Sequence, residues 1–239
     1  MIEMHQSVIR GVIDTARRAS RTMLTEVEAK TVVAEAGLPV VTTKLARSAT
    51  EAVACAESIG FPVALKLVAP HISHKSDVGG VRLGIADSAA VLTVFTELAA
   101  IPGSVIGRDP AAGVSVQAMA HEGGFEFMFG MRRDPQFGPV VLFGMGGTLA
   151  EVFRDAALRI APLTAYDAMS MISEIQASAL LRGVRGKPPV NAHAITQGLL
   201  AIARLGERFT ELKEIDINPV FVYQDRILAA DARALLGED

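Results

Sequence analysis

The first half of the chain switches repeatedly between helix-like and strand-like patterns of apolar residues. Thr25 with Glu28, and Ser48 with Glu51, form capping-box pairs of the kind that open helices. Apolar residues at every second position then indicate strands. Beyond the two capped helices, the pattern predicts strand, strand, helix and strand at 63–67, 81–85, 88–100 and 114–119.

The second half continues with strands that carry polar residues on one face. Apolar residues at the odd-numbered positions of 125–131 share one face of a predicted strand, which leaves Glu126 and Arg132 together on the other. The apolar run 139–143 predicts a strand that is covered on both faces. Two helices, and then a strand, turn, strand and short helix, are predicted at 165–181, 192–209 and 215–236. Mixed hairpin and crossover signals favour an α+β fold with two lobes over a uniform parallel sheet.

The composition is typical of a globular protein without affinity for nucleic acids. Half of the 239 residues are hydrophobic and 21% are charged. Lys and Arg total 23 against 26 for Asp and Glu, so the net charge of −3 provides no general attraction to a nucleic-acid backbone. No apolar run reaches the ~18 residues of a membrane-spanning helix, and the N-terminus lacks a secretion signal. We therefore expect a cytoplasmic protein that binds neither nucleic acid nor membrane.

Lys66 is the first residue that points to a ligand. It lies in a strand that otherwise faces apolar layers, where an unpaired ammonium group costs several kcal/mol. An anionic ligand would supply a partner, whereas a strand at the sheet edge would let Lys66 reach water. Gly79 and Gly80 follow in a polar loop. They would let backbone N–H groups approach phosphate oxygens, although paired glycines also mark tight turns.

A hairpin near the C-terminus predicts a site for a hard cation. If residues 224 and 225 form the turn, counting outward along both strands places Asn218 opposite Asp231, with Asp216 on the same face. Facing Cβ atoms lie ~4.5–5.5 Å apart, so an amide oxygen and a carboxylate can both reach one Mg²⁺ at ~2.0–2.1 Å. The alternative is a group of acidic residues on the solvent face of a hairpin.

Two further strands offer groups for a nucleotide. Glu126 could accept hydrogen bonds from a ribose, and the backbone of Gln117, Ala118 and Met119 could pair with a purine edge. Otherwise Glu126 is a solvated residue and the strand at 114–119 is plain core. The chain contains no G-x-x-x-x-G-K-[ST] motif and no complete dinucleotide-binding loop, which argues against Walker-type and Rossmann-type binding.

Several segments, taken in order, resemble a known family. They are V-A-L-K ending at Lys66, H-K-S-D-V-G-G-V beginning at His74, E-F-M-F-G beginning at Glu126 and I-D-I-N-P at 215–219. Together they resemble the ATP-grasp β subunit of ADP-forming acyl-CoA synthetases, with succinyl-CoA synthetase β subunits as more distant relatives. The resemblance covers about 24–236.

The resemblance implies an ATP-grasp fold in which two lobes clasp ATP. The lobes would span 24–117 and 118–239, with 1–23 as an additional helical segment. For the nucleotide, it implies that Lys66 contacts the α- and β-phosphates, Glu126 the ribose and 117–120 the adenine. Gly79 and Gly80 are also predicted to bind the nucleotide.

For the chemistry, the resemblance implies Mg²⁺ and ATP or ADP as cofactors. Asn218 and Asp231 match the Mg²⁺ ligands. His74 matches a histidine that is transiently phosphorylated, and Asp216 matches an acidic residue that steadies a phosphohistidine.

The chain would then exchange phosphate between Mg-ATP and His74 and pass it to a CoA-binding α subunit in a hetero-oligomer. A separate subunit is expected because 239 residues leave no room for a further CoA-binding domain. Two alternatives remain at this point. One is an ATP-grasp carboxylate–amine ligase, which forms an acyl phosphate without a histidine relay. The other is a non-catalytic ATP-sensing module.

Overall fold

The structure, a computed structural model, describes residues 4–70, 72, 75, 77–120, 123–147, 155–183 and 188–237. They divide into two compact units. The small unit comprises Thr25–Val27 and Val41–Ala120, and the large unit comprises Met1–Leu24, Glu28–Val40 and His121–Asp239. The segment before Val41 thus contributes to both units. The family resemblance predicts that this segment, from residue 24 onward, belongs to the first lobe alone.

Two helices precede the sheets. Helix α1 spans Gln6–Arg18, within the segment that the sequence predicts to be helical, and α2 spans Glu26–Glu35. Glu26 and Val27, at the start of α2, group with the small unit, and the rest of the helix groups with the large unit. The side chain of Glu26 is therefore part of the small unit although most of its helix is not.

The small unit is built on a four-stranded antiparallel sheet. Its elements are β1 (Thr43–Ala46), α3 (Ala49–Ile59), β2 (Val63–Val68), β3 (Val81–Ile85), α4 (Ser88–Ala99) and β4 (Gly113–Ala118). The strands lie in the order β1–β4–β2–β3. Leu65 and Val116 contribute to a core with residues of α3 and α4 such as Phe95. The Ser48 side chain accepts a hydrogen bond from the Glu51 amide at the start of α3, as the sequence predicts.

The large unit is built on a six-stranded antiparallel sheet. Its elements are β5 (Phe125–Asp134), β6 (Gly138–Met145), β7 (Ala156–Ile160), α5 (Ala165–Glu174), α6 (Ser178–Leu181), α7 (Ala192–Arg208), β8 (Leu212–Val222), β9 (Ile227–Ala229) and β10 (Arg233–Leu236). The order is β10–β8–β5–β6–β7, and β9 pairs with β8. Helix α7 packs closely on one face, because a Cβ at Gly198 would lie 2.8 Å from Phe129 and one at Gly206 would lie 3.0 Å from Met131.

The opposite face of this sheet is the polar face, defined by Glu126 and Arg132 on β5 and by Glu214, Asp216 and Asn218 on β8. Phe127, Phe129 and Met131 are buried, whereas Glu126 and Arg132 are exposed, so the predicted separation of faces in β5 is confirmed. The α+β architecture is confirmed as well.

Four details differ from the sequence-based expectations. The predicted closing helix is wrong, because Ala234 and Leu235 pair with β8 as part of β10. The region 165–181 forms two helices, α5 and α6, instead of one. Strand β6 is covered on one face only, since Val140 and Leu142 are half-buried. Strand β7 is absent from the sequence-based prediction.

Candidate functional site

Lys66 is buried in an interior strand of the small unit. It lies on β2, between β3 and β4, and it is 5% exposed. Its Nζ atom lies 3.0 Å from Oε1 of Glu26. The alternative of a lysine that reaches water from a sheet edge is therefore wrong. The prediction that Lys66 needs an anionic partner is met within the chain by Glu26, a residue that the sequence analysis did not single out.

Glu26 also accepts a hydrogen bond from Lys75, through Oε2. The carboxylate is almost fully buried, at 1% side-chain exposure, and the Lys66 and Lys75 side chains are 6% and 15% exposed. One buried carboxylate thus binds two ammonium groups. Lys75 follows His74 in the chain, so this cluster joins β2 to the segment that contains His74. His74 itself lies outside the described residues, and its predicted role stays a prediction.

Gly79 and Gly80 form a tight turn after Lys75. Gly79 adopts a positive φ of 68°, which favours glycine. The Gly80 N–H donates to the Lys75 carbonyl at 2.6 Å, and a Cβ at Gly80 would lie 2.9 Å from that oxygen. The Gly80 amide is therefore engaged within the chain, which favours the tight-turn interpretation of this glycine over direct phosphate binding.

The segment predicted to meet the adenine lies at the end of β4. Gln117 is 4% exposed and pairs in register with Ala64 of β2. The Ala118 N–H donates to the Thr42 carbonyl at 2.9 Å. Met119 follows the strand and is half-buried. These residues lie in the same unit as Lys66, and their contact with a purine stays a prediction.

The hairpin register in the large unit is the one that the sequence predicts. Near the turn, Val222 pairs with Ile227 and Val220 pairs with Ala229. Farther from the turn, Asp216 pairs with Arg233 in the same register. Asn218 and Asp231 occupy corresponding positions between these pairs. The register of β8 against β5 shifts between Phe127 and Phe129, so Asn218 lies at a β-bulge, a feature that can redirect a side chain.

Asn218 is held by the turn that follows β6. Its Oδ1 accepts a hydrogen bond from the Gly147 N–H at 3.0 Å. Gly147 has a φ of 65°, and a Cβ there would collide with the carboxylate of Glu126. A Cβ at Gly146 would lie 2.6 Å from the Phe127 backbone. The two glycines therefore allow a turn, the Glu126 carboxylate and the Asn218 amide to lie side by side.

Asp216 is a half-buried residue whose carboxylate has one buried oxygen. Its Oδ1 is buried and has no hydrogen-bond partner among the residues that the structure describes. Burial raises the pKa of Asp216 above its usual 3.8, the negative charges of Glu214 and Asp231 raise it further, and Arg233 opposes the shift. A buried acceptor without a donor is costly in a folded protein, so such an atom suggests a missing ligand.

Asp216 also lines a cavity of about 610 Å³ on the polar face. Apolar side chains such as Leu142 and Leu158 form one part of its wall, and charged residues such as Arg132 and Glu214 form another. This combination of an apolar surface and a few convergent polar groups is typical of ligand sites.

The oxygen atoms near Asn218 are suited to a magnesium ion. Asn218, Asp231 and Asp216 offer amide and carboxylate oxygens, which are the ligands that Mg²⁺ prefers. Oδ1 of Asp216 accepts no hydrogen bond from any residue that the structure describes. Among the described residues, no cluster of three or more His, Cys, Asp and Glu side chains has the arrangement of a complete metal site.

The ATP-grasp domain family matches residues 15–236, nearly the whole chain. The chain belongs to the ATP-grasp family. It is 40% identical to the β subunit of acetate–CoA ligase [ADP-forming] I from Pyrococcus furiosus, over 95% of this chain and 97% of that one. It is also 44% identical to acetate–CoA ligase [ADP-forming] I from Archaeoglobus fulgidus, over 85% of this chain but 29% of that longer one. Its relatives therefore include separate β subunits and longer single chains.

A solved structure with the same fold contains a nucleotide. Acetyl-coenzyme A synthetase 1 from Candidatus Korarchaeum cryptofilum, in complex with coenzyme A and Mg-AMPPCP, matches with a TM-score of 0.84 and 40% identity, covering 96% of this chain and all of that one. Within the ATP-grasp family, this chain belongs with the β subunits of ADP-forming acyl-CoA synthetases. These relatives favour CoA ligation over the carboxylate–amine ligase alternative. In the described part of the chain, hydropathy identifies no helix that could traverse a bilayer.

Proposed function

We propose that this chain is the nucleotide-binding subunit of an ADP-forming acyl-CoA synthetase and that it transfers the γ-phosphoryl group of Mg-ATP to His74. A CoA-binding α subunit would complete the enzyme, a proposal supported by the β-subunit name of the Pyrococcus relative. Together the subunits would interconvert acyl-CoA, ADP and phosphate with the free acid, CoA and ATP. We further infer a cytoplasmic location, where ATP and CoA are both available.

The arrangement of oxygen atoms on the polar face carries this proposal. Asn218 and Asp231 lie in matching register beside Asp216, whose buried Oδ1 has no partner in the described part of the chain. Asn218 and Asp231 would hold Mg²⁺, which would supply positive charge to neutralise the phosphate oxygens of the nucleotide. The Mg-AMPPCP complex of the Korarchaeum relative supports this assignment.

Three other residues would bind the nucleotide itself. Lys66 would contact the α- and β-phosphates, because its ammonium group is a donor and a full positive charge in a buried position. Glu126 would accept hydrogen bonds from the ribose hydroxyls, and the backbone at Gln117 would contact the adenine. Each of these groups binds or orients the substrate without changing its own covalent bonds.

His74 would act as the nucleophile. Its unprotonated ring nitrogen donates an electron pair to the γ-phosphorus, an N–P bond forms, and the bond to the β,γ-bridging oxygen breaks with its electrons leaving on ADP. The N–P bond is labile enough to pass the phosphoryl group onward. Asp216 would steady a phosphohistidine by accepting a hydrogen bond from the ring N–H, a role supported by its open Oδ1 acceptor.

Phosphorylation with γ-labelled ATP tests the proposal. The chain is incubated with labelled ATP and Mg²⁺, with and without its cognate α subunit, and the label bound to protein is counted before and after acid treatment. We expect acid-labile label on the wild type and none on His74→Ala. With the α subunit, acid and CoA, the label should leave the protein.

His193→Ala is the matched control, because His193 is exposed at the start of α7 and has no role in the proposed site. It should be labelled like the wild type. Label that persists in His74→Ala, or complete acyl-CoA synthesis by the isolated chain, would contradict the proposed relay.

A further inference from the structure

Glu26 connects two lysines that belong to different parts of the small unit. Lys66 lies on the interior strand β2, whereas Lys75 lies between β2 and β3, next to His74 in the chain. Both ammonium groups contact the same carboxylate, one at each oxygen. Lys75 is held a second time through its backbone, because its carbonyl accepts the Gly80 N–H at 2.6 Å. The position of Lys75 is therefore defined by both its side chain and its main chain.

The burial of this cluster makes the carboxylate difficult to replace. Removing one member of a buried ion pair leaves an uncompensated charge, which is far more costly than losing an exposed pair. Here the loss of Glu26 would leave two ammonium groups close together with reduced access to water. At least one of them would move away, and Lys75 is the more exposed of the two, at 15% against 6%.

We propose that Glu26 is a positioning residue for phosphoryl transfer, which holds the segment next to His74 in place by tying Lys75 to the phosphate-binding Lys66. This inference rests on the proposed phosphorylation of His74. Consecutive Cα atoms are about 3.8 Å apart, so fixing Lys75 limits the positions that His74 can reach. Glu26 acts through the two lysines and has no contact with the reacting atoms in this scheme.

The charge of Glu26 predicts opposite effects on binding and on transfer. A carboxylate beside Lys66 repels phosphate oxygens, so its removal should leave nucleotide affinity unchanged or slightly increased. The same removal releases Lys75, and a misplaced nucleophile slows transfer steeply, by up to about 100-fold for an error near 1 Å. A purely structural role would not separate the two quantities in this way.

Rapid-quench labelling of the complex with the α subunit measures this separation. For Glu26→Gln, we expect the single-turnover rate of His74 phosphorylation to fall about 10- to 100-fold. The dissociation constant for Mg-ATP, measured by calorimetry, should stay within about threefold of the wild-type value or decrease. An unchanged transfer rate, or equal losses in rate and affinity, would overturn the inference.

Lys75→Met provides a second variant that keeps the buried Glu26–Lys66 pair. We expect it to slow transfer about tenfold without weakening nucleotide binding. The double variant Glu26→Gln with Lys75→Met should be no slower than Glu26→Gln alone, since both changes remove one connection. Multiplied losses in the double variant, or an unaffected Lys75→Met, would contradict a role of Glu26 through Lys75.

Glu28→Gln is the matched control. Glu28 lies on the same helix and pairs with Arg21 through two contacts of 2.7 Å, within the large unit. Its transfer rate should equal that of the wild type. If the wild type carries its label elsewhere than on His74, the proposed function fails. If wild-type label is on His74 and Glu26→Gln transfers at the same rate, only the present inference fails.

Discussion

Two carboxylates, the buried Glu26 in the small unit and the half-buried Asp216 in the large unit, are in opposite electrostatic situations. Glu26 accepts from the ammonium groups of Lys66 and Lys75. Asp216 faces Arg233 across the hairpin, but the negative charges of Glu214 and Asp231 act against its ionisation, and its Oδ1 has no partner in the described residues. Both oxygens of Glu26 thus accept from lysines of the chain, whereas one oxygen of Asp216 has no donor among the described residues.

The two carboxylates therefore differ in whether the described part of the chain supplies a partner for each oxygen. Paired buried charges fix the positions of their partners, and breaking them is costly. An unpaired buried acceptor lowers stability, and proteins tolerate such a cost mainly where function requires it. The comparison therefore predicts that neutralising the two carboxylates changes the stability of the protein in opposite directions.

The largest expected effect is that of Glu26→Gln on stability. Because the change leaves the buried ammonium group of Lys66 and the partly buried one of Lys75 without their shared carboxylate, the free energy of unfolding should fall by about 3 kcal/mol. Urea titration of the wild type and the variant measures the difference. A domain of typical stability, about 5–15 kcal/mol, would remain folded.

Glu28→Gln is again the matched control, since it removes a less buried carboxylate from the same helix. It should cost about 1 kcal/mol. If both variants lose the same small amount of stability, the buried cluster contributes no more than the less buried Glu28–Arg21 pair, and the contrast with Asp216 disappears.

The hairpin of the large unit could be predicted from sequence because its geometry is local. A two-residue turn at Gln224 and Asp225 fixes the register, and each residue outward follows from counting. The structure has the pairs that this counting gives, from Val222 with Ile227 to Asp216 with Arg233. The alternation of side chains along β5 is equally local, and it correctly predicts that Glu126 lies on the opposite face from the buried phenylalanines.

Long-range pairs and competing propensities account for what could not be predicted. Glu26 and Lys66 are 40 positions apart, and no local pattern indicates that the first turn of a helix meets an interior strand. The end of the chain is rich in Ala and Leu, which favour helix, but Ala234 and Leu235 complete the edge of a sheet instead. The need for glycine at position 147 could be recognised only from the position of the Glu126 carboxylate, which lies 21 residues earlier in the chain.

Asp231→Ala should have an intermediate effect, on the binding of Mg-ATP. Because Asp231 would supply one of the two oxygen ligands, its loss should weaken Mg-ATP binding about 10- to 100-fold. Calorimetry at saturating Mg²⁺ measures the change. The stability of this variant should change little, since Asp231 is only half-buried.

Asp225→Ala tests whether the effect depends on position. Asp225 lies at the tip of the same hairpin, and its side chain is 68% exposed. This variant should bind Mg-ATP like the wild type. If the wild type and both variants bind Mg-ATP with equal affinity, Asp231 is not a ligand of the metal. The open acceptor of Asp216 would then have no cation held next to it by Asp231.

The smallest expected effect is a gain in stability for Asp216→Asn. Burial raises the pKa of Asp216 in the folded state above its usual 3.8, so the folded protein holds this proton to higher pH than the unfolded chain does. The stability that the protonated carboxyl provides is complete below pH 3.8 and is lost as pH rises through the raised pKa. At a pH above this raised pKa, the ionised Asp216 therefore destabilises the fold, and a neutral amide of similar shape removes that charge.

Thermal unfolding as a function of pH measures this gain. At pH 7 the melting temperature of Asp216→Asn should exceed that of the wild type by about 2–4 °C, and the difference should shrink toward acidic pH, where Asp216 becomes protonated. Asp225→Asn, at the exposed turn, should show no such trend. A melting temperature that falls at pH 7 would mean that the Asp216 carboxylate is stabilised within the chain, as Glu26 is. The proposed difference between a paired Glu26 and an open Asp216 would then be wrong, because both ionised carboxylates would stabilise the folded protein.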